Sequence, residues 1–140
     1  YLLSVEPFKE TKFTSDGVKI AFVYKRDIYI KDLIGNTFKR VTKDGGRNII
    51  NGITDWVYEE EFGYVRAFDW DKSGNYIVFL RFDQSNVPEF SMHINGSGLR
   101  PFQYKFKYPK AGEKNSNVKL YSYNINTFSG FSFNIFFFCI

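Results

Sequence analysis

The chain has 140 residues, of which 44% are hydrophobic and 24% are charged, a balance that is typical of one folded domain and excludes a largely disordered chain. Aromatic residues make up 21% of it, and because aromatic side chains favour strands we expect a mostly β protein. The net charge of +4 comes from Lys and Arg residues scattered along the chain, which argues against a nucleic-acid-binding protein.

The first predicted elements form a tight antiparallel hairpin. Apolar residues alternate over 20–24, a KRD turn follows at 25–27, and a second strand is predicted at 28–30. After a Gly-Asn turn signal, a third strand is predicted at 38–42 and is closed by the KDGG sequence at 43–46. Three short consecutive strands make up most of one blade of a β-propeller.

The segment NGITDWVYEEEFG, residues 51–63, comes next and places three glutamates directly after an aromatic, apolar run. Thr54 or Asp55 can cap a short helix that begins at Trp56, because both side chains accept hydrogen bonds from the first helical amides. We therefore expect a short inserted helix near residues 55–62.

A second unit then repeats the organisation of the first. Each unit has an aromatic residue, a polar turn centred on Gly17 or Gly74, and then an apolar strand, which indicates a repeat architecture. The strands predicted for the second unit are 67–70, 76–82, 90–94 and 103–107, with 121–125 as a later strand.

The repeats predict an all-β fold, a partial β-propeller of about two blades of antiparallel strands with the short helix inserted between them. Stacked four-stranded blades bury faces that one sheet cannot bury alone. Two blades cannot close a ring, and by themselves they would expose apolar faces and unpaired edges. We therefore expect residues 1–127 to be a fragment of a larger propeller domain.

The two ends of the chain carry little structural signal. No signal-peptide pattern is visible in YLLSVEPFKE, and because the chain starts at Tyr1 we expect it to be internal to something longer. Residues 128–140 form a Phe-rich tail that is too short for the roughly 20 residues of a membrane helix, and we predict neither a strand nor an anchor there. Cys139 is the single cysteine, so it permits no internal disulfide.

The three glutamates have two interpretations. At about 100° per residue, two of Glu59, Glu60 and Glu61 converge on one side of a helix while the third faces elsewhere. Carboxylates held close together repel each other, and a primary ammonium with three donors suits the site between them. The alternative is that acids near the start of a helix complement its dipole and remain solvated.

Other chemical signals point to structural roles, and we predict no catalytic residue, metal or cofactor in this chain. Asp69 and Asp71 imitate the start of a calcium loop, but Leu80 stands where a bidentate acid is needed. His93, the single histidine, lacks a nucleophile-elbow sequence beside it and fits the end of a strand. Basic and aromatic residues alternate over 103–110, as expected for an exposed strand and, less well, for nucleic-acid binding.

Taken together, NGITDWVYEEEFG, RAFDW, FLRFDQSNVPEFSM and YPKAGEKNSNVKLY resemble the N-terminal β-propeller of the dipeptidyl peptidase IV family, serine exopeptidases of the prolyl oligopeptidase class. The resemblance covers about residues 13–126, and RFDQSNVPEF is most similar to bacterial members. It implies an eight-bladed propeller that caps an α/β-hydrolase domain, and a short helix whose two adjacent glutamates hold the free amino terminus of the substrate.

The resemblance also implies roles for individual residues. Glu60 and Glu61, the last two acids of YEEE, correspond to the glutamates that bind the substrate, and Glu59 to an outward-facing neighbour. The implied activity is release of N-terminal Xaa-Pro or, less readily, Xaa-Ala dipeptides. The implied partners are a peptide with a free N-terminus, the α/β-hydrolase catalytic domain of the same full-length chain, and a second copy in a homodimer, with no nucleic acid.

The Ser, Asp and His triad of this family lies in the hydrolase domain, outside these residues, so we expect no hydrolysis by this chain alone. The family implies a location outside the cytoplasm, whether periplasmic, secreted or membrane-anchored. From the repeats alone, the alternative function is a non-catalytic propeller module that binds a protein or peptide.

Overall fold

The fold is that of a computed structural model, which describes residues 9–94, 102–127 and 129–134. Over these residues the chain forms eleven strands and one helix. In chain order they are β1 (Lys9–Phe13), β2 (Lys19–Tyr24), β3 (Asp27–Asp32), β4 (Phe38–Arg40), β5 (Ile49–Asn51), α1 (Trp56–Phe62), β6 (Phe68–Trp70), β7 (Tyr76–Asp83), β8 (Glu89–Ile94), β9 (Phe102–Lys107), β10 (Asn117–Asn124) and β11 (Ser129–Asn134). In the part of the chain so described, no helix has the length and apolar character needed to cross a membrane.

The first sheet is a four-stranded antiparallel meander in the order β1-β2-β3-β4. Its central hairpin is confirmed, but the turn has two residues, Lys25 and Arg26, whose positive φ values of 50° and 66° match the right-handed twist of the flanking strands. Asp27, which the sequence assigned to the turn, is instead the buried first residue of β3. Its carboxylate accepts hydrogen bonds from the Thr42 hydroxyl at 2.6 Å and the Gly45 amide at 3.0 Å.

The second sheet is built around the eight-residue strand β7. On one edge β10 pairs with it from end to end, and β11 pairs in turn with β10. On the other edge β6 pairs with residues 77–79 and β5 with residues 81–83. The second blade therefore runs β6-β7-β10-β11, with β5 lying beside it.

The prediction that residues 90–94 and 103–107 are strands is confirmed, but their predicted place in the second blade is wrong. Strands β8 and β9 pair with each other in a separate two-stranded sheet, inserted between β7 and β10. The reason is that both edges of β7 are already occupied. The fourth blade strand is β11, so the prediction of no strand in the tail 128–140 is wrong, because β11 pairs with the edge of β10 that β7 leaves open. Residues 135–140, including Cys139, lie outside the described residues.

The hydrophobic core lies between the two sheets. Phe82 and Ile77 on β7 and Ile28 on β3 are fully buried, and each contributes roughly 1.5–3 kcal/mol by removal from water. The buried members of this core are Ala21, Val23, Ile28, Ile30, Ile50, Ile53, Ala67, Phe68, Ile77, Phe79, Phe82 and Val118. Two antiparallel blades sharing one core confirm the predicted all-β fold of a partial propeller.

Candidate functional site

The three glutamates lie on α1, which stands on a loop between β5 and β6 whose two ends are tied together. The Ala67 amide donates to the Gly52 carbonyl at 2.9 Å, and an antiparallel bridge joins Ile53 to Arg66. These bonds pair the two ends of the loop, residues 52–54 and 65–67, and we call this paired segment the stalk. The helix therefore projects from the blade from a defined base.

Gly52 lies at the base of this stalk, packed against the first sheet. Its φ of 76° lies in the left-handed region, which glycine adopts without a side-chain clash. A Cβ at this position would lie 2.7 Å from Ile28 Cγ1 and 3.1 Å from Val23 Cγ2. Only a residue without a side chain fits between the stalk and the first sheet.

The helix begins at a cap that the sequence predicts. Asp55, one of the two candidates, is the N-cap, and its carboxylate accepts the Tyr58 amide at 3.1 Å. Its other oxygen accepts the Ser116 hydroxyl. Thr54, the other candidate, donates its hydroxyl to the backbone carbonyl of Tyr64. Gly63, with φ of 66°, ends the helix, so the predicted helix near residues 55–62 is confirmed.

Two aromatic residues attach the helix on nearly opposite sides. The Tyr58 ring packs edge-on against the core ring of Phe82, with centroids 5.2 Å apart. The Trp56 ring packs 4.8 Å from Tyr108 and 5.5 Å from Phe106, both at the β8–β9 hairpin. Since the two residues are two positions apart, their side chains leave the axis about 200° apart. The helix is thereby held from the core side and from the hairpin side.

The three acids divide between the two flanks that these anchors leave open. Counted from Trp56, the side chains of Glu60 and Glu61 leave the axis at about 40° and 140°, and that of Glu59 at about 300°. All three residues are exposed. Within the described ranges, no Lys or Arg forms an ion pair with them. Glu60 and Glu61 thus share one flank as solvated carboxylates, while Glu59 faces the other.

A cavity of about 270 Å³ opens on the Glu59 flank, between α1, β5 and the hairpin. Basic residues line it, among them Arg47, Lys105 and Lys107, and the other two helix glutamates are not part of the lining. Arg47 donates to the Glu89 carboxylate at 2.5 Å, and this hydrogen bond lowers the pKa of Glu89. The environment of Glu59 therefore differs from that of its two neighbours.

The remaining sequence signals lie apart from the helix. The Asp71 carboxylate accepts the amides of Ser73 and Tyr76 and so closes a turn, and Asp69 pairs with a lysine of β1 at 2.8 Å. The residues that the structure describes contain no group of acids, His or Cys that could hold a metal. His93 is an exposed residue of β8. Of the alternating stretch 103–110, residues 103–107 lie in β9, as predicted, and 108–110 follow the strand; the aromatic residues meet α1 and solvent rather than a blade core.

Comparison with known proteins adds the family. Residues 4–137 match the family model described as the dipeptidyl peptidase IV (DPP IV) N-terminal region. A crystal structure of Porphyromonas gingivalis dipeptidyl peptidase 4 superposes with a TM-score of 0.87 at 41% identity, covering 91% of this chain and 18% of that one. The likeness therefore extends over nearly the whole chain in both sequence and fold.

The curated relatives include fungal and mammalian proteins. A probable dipeptidyl-aminopeptidase B of Talaromyces stipitatus is 40% identical over 129 residues, which are 82% of this chain and 14% of that protein. Dipeptidyl peptidase 4 of Bos taurus is 37% identical over 121 residues, which are 84% of this chain and 16% of that protein. The chain spans less than a fifth of each relative, and because the relatives include fungal, mammalian and bacterial proteins, the leaning towards bacterial members stays a prediction.

Proposed function

The chain belongs to the dipeptidyl peptidase IV N-terminal region family, and from that membership we propose that it supplies recognition of the substrate amino terminus to a serine-type dipeptidyl peptidase. Glu60 and Glu61 bind the free ammonium group of the peptide. The full-length enzyme releases N-terminal Xaa-Pro or, less readily, Xaa-Ala dipeptides.

One observation carries this proposal: Glu60 and Glu61 are exposed on the same flank of a helix that is capped and held by aromatic residues on two sides. An ammonium group has three donors and one positive charge, so two carboxylates satisfy it through charge-assisted hydrogen bonds. The same charge relieves the repulsion between the two acids. Glu59, on the cavity flank, takes no part.

The ammonium site restricts cleavage by fixing the distance between the amino terminus of the peptide and the nucleophile. When the amino terminus is held at α1, the peptide bond two residues along is the one placed at the nucleophile, and such positioning can supply several kcal/mol of barrier reduction. The nucleophile belongs to an α/β-hydrolase domain of the full-length chain. We also infer an extracytoplasmic location and a homodimer, both from membership of the family.

The test compares single substitutions in the full-length enzyme. Losing one charge-assisted hydrogen bond costs about 1.5–3 kcal/mol, so Glu60→Gln and Glu61→Gln should each lower kcat/KM for a Gly-Pro chromogenic substrate by roughly ten- to hundredfold. Glu59→Gln is the matched control, because it removes a charge that is also exposed on the same helix but lies on the other flank, and it should keep kcat/KM within about threefold.

Two results would distinguish the proposed dipeptidyl peptidase function from the alternative of a non-catalytic binding module. Near-normal turnover by both Glu60→Gln and Glu61→Gln would refute the ammonium site. A full-length sequence that lacks a nucleophile serine with following Asp and His would instead favour the non-catalytic module that binds a peptide or protein.

A further inference from the structure

The β8–β9 hairpin has no blade role among the described residues, since its strands pair with each other. Its inner end, however, contacts the first residue of α1. We propose that this hairpin and the segment that follows it buttress the acidic helix, with Trp56 and Ser116 as positioning residues for Glu60 and Glu61. This proposal rests on the proposed function and names the residues that orient its ammonium site.

Trp56 is held in an aromatic cluster. Its ring packs against Tyr108 and Phe106, and Phe90 closes the cluster with centroids 5.7 Å from Phe106 and 5.8 Å from Tyr108. Three of these four ring pairs are edge-on, a favourable geometry for aromatic pairs. The cluster is therefore a packed contact between helix and hairpin, although 38% of Trp56 remains exposed.

A second contact reaches the same helix end from the segment between β9 and β10. The hydroxyl of Ser116 donates to the carboxylate of Asp55, the oxygen that the helix amide leaves free. Asp55 is buried, with 4% of its surface exposed, so this hydrogen bond forms away from bulk solvent. Tyr108 and Ser116 thus stand at the two ends of one connecting segment, and both hold the start of α1.

The two contacts are important for the orientation of α1, because this helix is short and lies at the surface. It has seven residues, none of them buried, and the core reaches it through Tyr58 on one side. A rotation of about 30° about its axis would move a carboxylate at a radius of about 5–6 Å by roughly 3 Å. Misplacement by about 1 Å can cost a hundredfold in rate, so an anchor opposite Tyr58 is needed to aim the acids.

The test uses the full-length enzyme and a double-mutant cycle. Trp56→Ala should lower kcat/KM for a Gly-Pro substrate by about tenfold or more, and Trp56→Phe should restore it to within about threefold. In a Glu60→Gln/Glu61→Gln background the same Trp56→Ala change should have little further effect, because the groups that Trp56 orients are gone. Ser116→Ala should show the same dependence with a smaller loss.

Phe102→Ala is the matched control, since Phe102 is 54% exposed at the far end of the same hairpin and should leave kcat/KM unchanged. A direct readout is amide hydrogen exchange, in which Trp56→Ala should raise exchange over residues 56–62 and leave β7 and β10 protected.

An equal loss from Trp56→Ala in both backgrounds would overturn the positioning role, as would unchanged exchange in α1. If Glu60→Gln/Glu61→Gln itself keeps normal activity, the ammonium site is what fails, and the exchange measurement still decides whether the hairpin buttresses the helix.

Discussion

Replacing Gly52 with alanine tests how the base of the stalk is held against the first sheet. Two penalties add at this position. A left-handed φ of 76° costs a residue with a side chain about 1 kcal/mol. The added Cβ would also lie 2.7 Å and 2.9 Å from Ile28 Cγ1 and Cδ1, well inside the ordinary carbon contact of about 3.5–4.0 Å.

Overlap of this kind in a packed core costs about 1–3 kcal/mol, because Ile28 is fully buried between β3 and the second sheet. The expected loss for Gly52→Ala is therefore about 2–4 kcal/mol of unfolding free energy. At about 1.4 kcal/mol per tenfold change, the folded-to-unfolded ratio falls by a factor of roughly 30 to nearly a thousand.

Gly17→Ala is the matched control, because Gly17 has a similar φ of 71° and no atom within 4 Å of its would-be Cβ. It should lose about 1 kcal/mol, from backbone strain alone. Both variants would be made in a chain that carries the whole propeller and compared by urea titration of far-ultraviolet circular dichroism, with equal slopes required. Losses that agree to within about 0.5 kcal/mol would refute the steric reasoning at Gly52.

Two further predictions concern the core and the blade interface. Phe82→Ala, which removes a fully buried ring and the partner of Tyr58, should cost about 3–5 kcal/mol in a thermal or urea titration, and Phe82→Leu clearly less; equal losses would contradict the packing argument. Burial raises the pKa of Asp44, but hydrogen bonds from Arg81 and Asn51 outweigh it and hold that pKa below its usual 3.8. The carboxylate therefore stabilises the fold above about pH 4, and this contribution is lost as the pH falls below about 4 and through the lowered pKa of Asp44. Asp44→Asn should therefore lose less stability than the parent between about pH 6 and pH 3. The same pH dependence in both proteins would show that the Asp44 contacts carry no net stability.

Strands with strong local patterns were predictable. Alternation over residues 20–24 and the apolar run of β7 predicted strands within a residue or two of their observed bounds, because each buries one face in the core. The cap residue and the following aromatic run predicted α1 in the same way, since capping is a local interaction. By contrast, β1 reads KETKF, which has no apolar alternation, and was missed.

The membership of the blades was not predictable from local pattern. Strands β8 and β9 have the alternation of blade strands, but a strand joins a sheet only where an edge is free, and the edges of β7 are taken by β10 on one side and by β5 and β6 on the other. The paired residues of these strands lie up to 48 positions apart in the chain, as for Tyr76 and Asn124, so no short window of the sequence contains this competition.

A β repeat with a capped acidic helix between its units is readable from the amino-acid sequence, because periodicity, turn residues and caps act over a few positions. The directions in which the acids face depend instead on long-range contacts of the folded chain. Glu60 and Glu61 share a flank because Tyr58 meets Phe82 on one side and Trp56 meets the hairpin on the other. A helix this short has no preferred rotation of its own, so its direction comes from residues that lie 24 to 61 positions away in the chain.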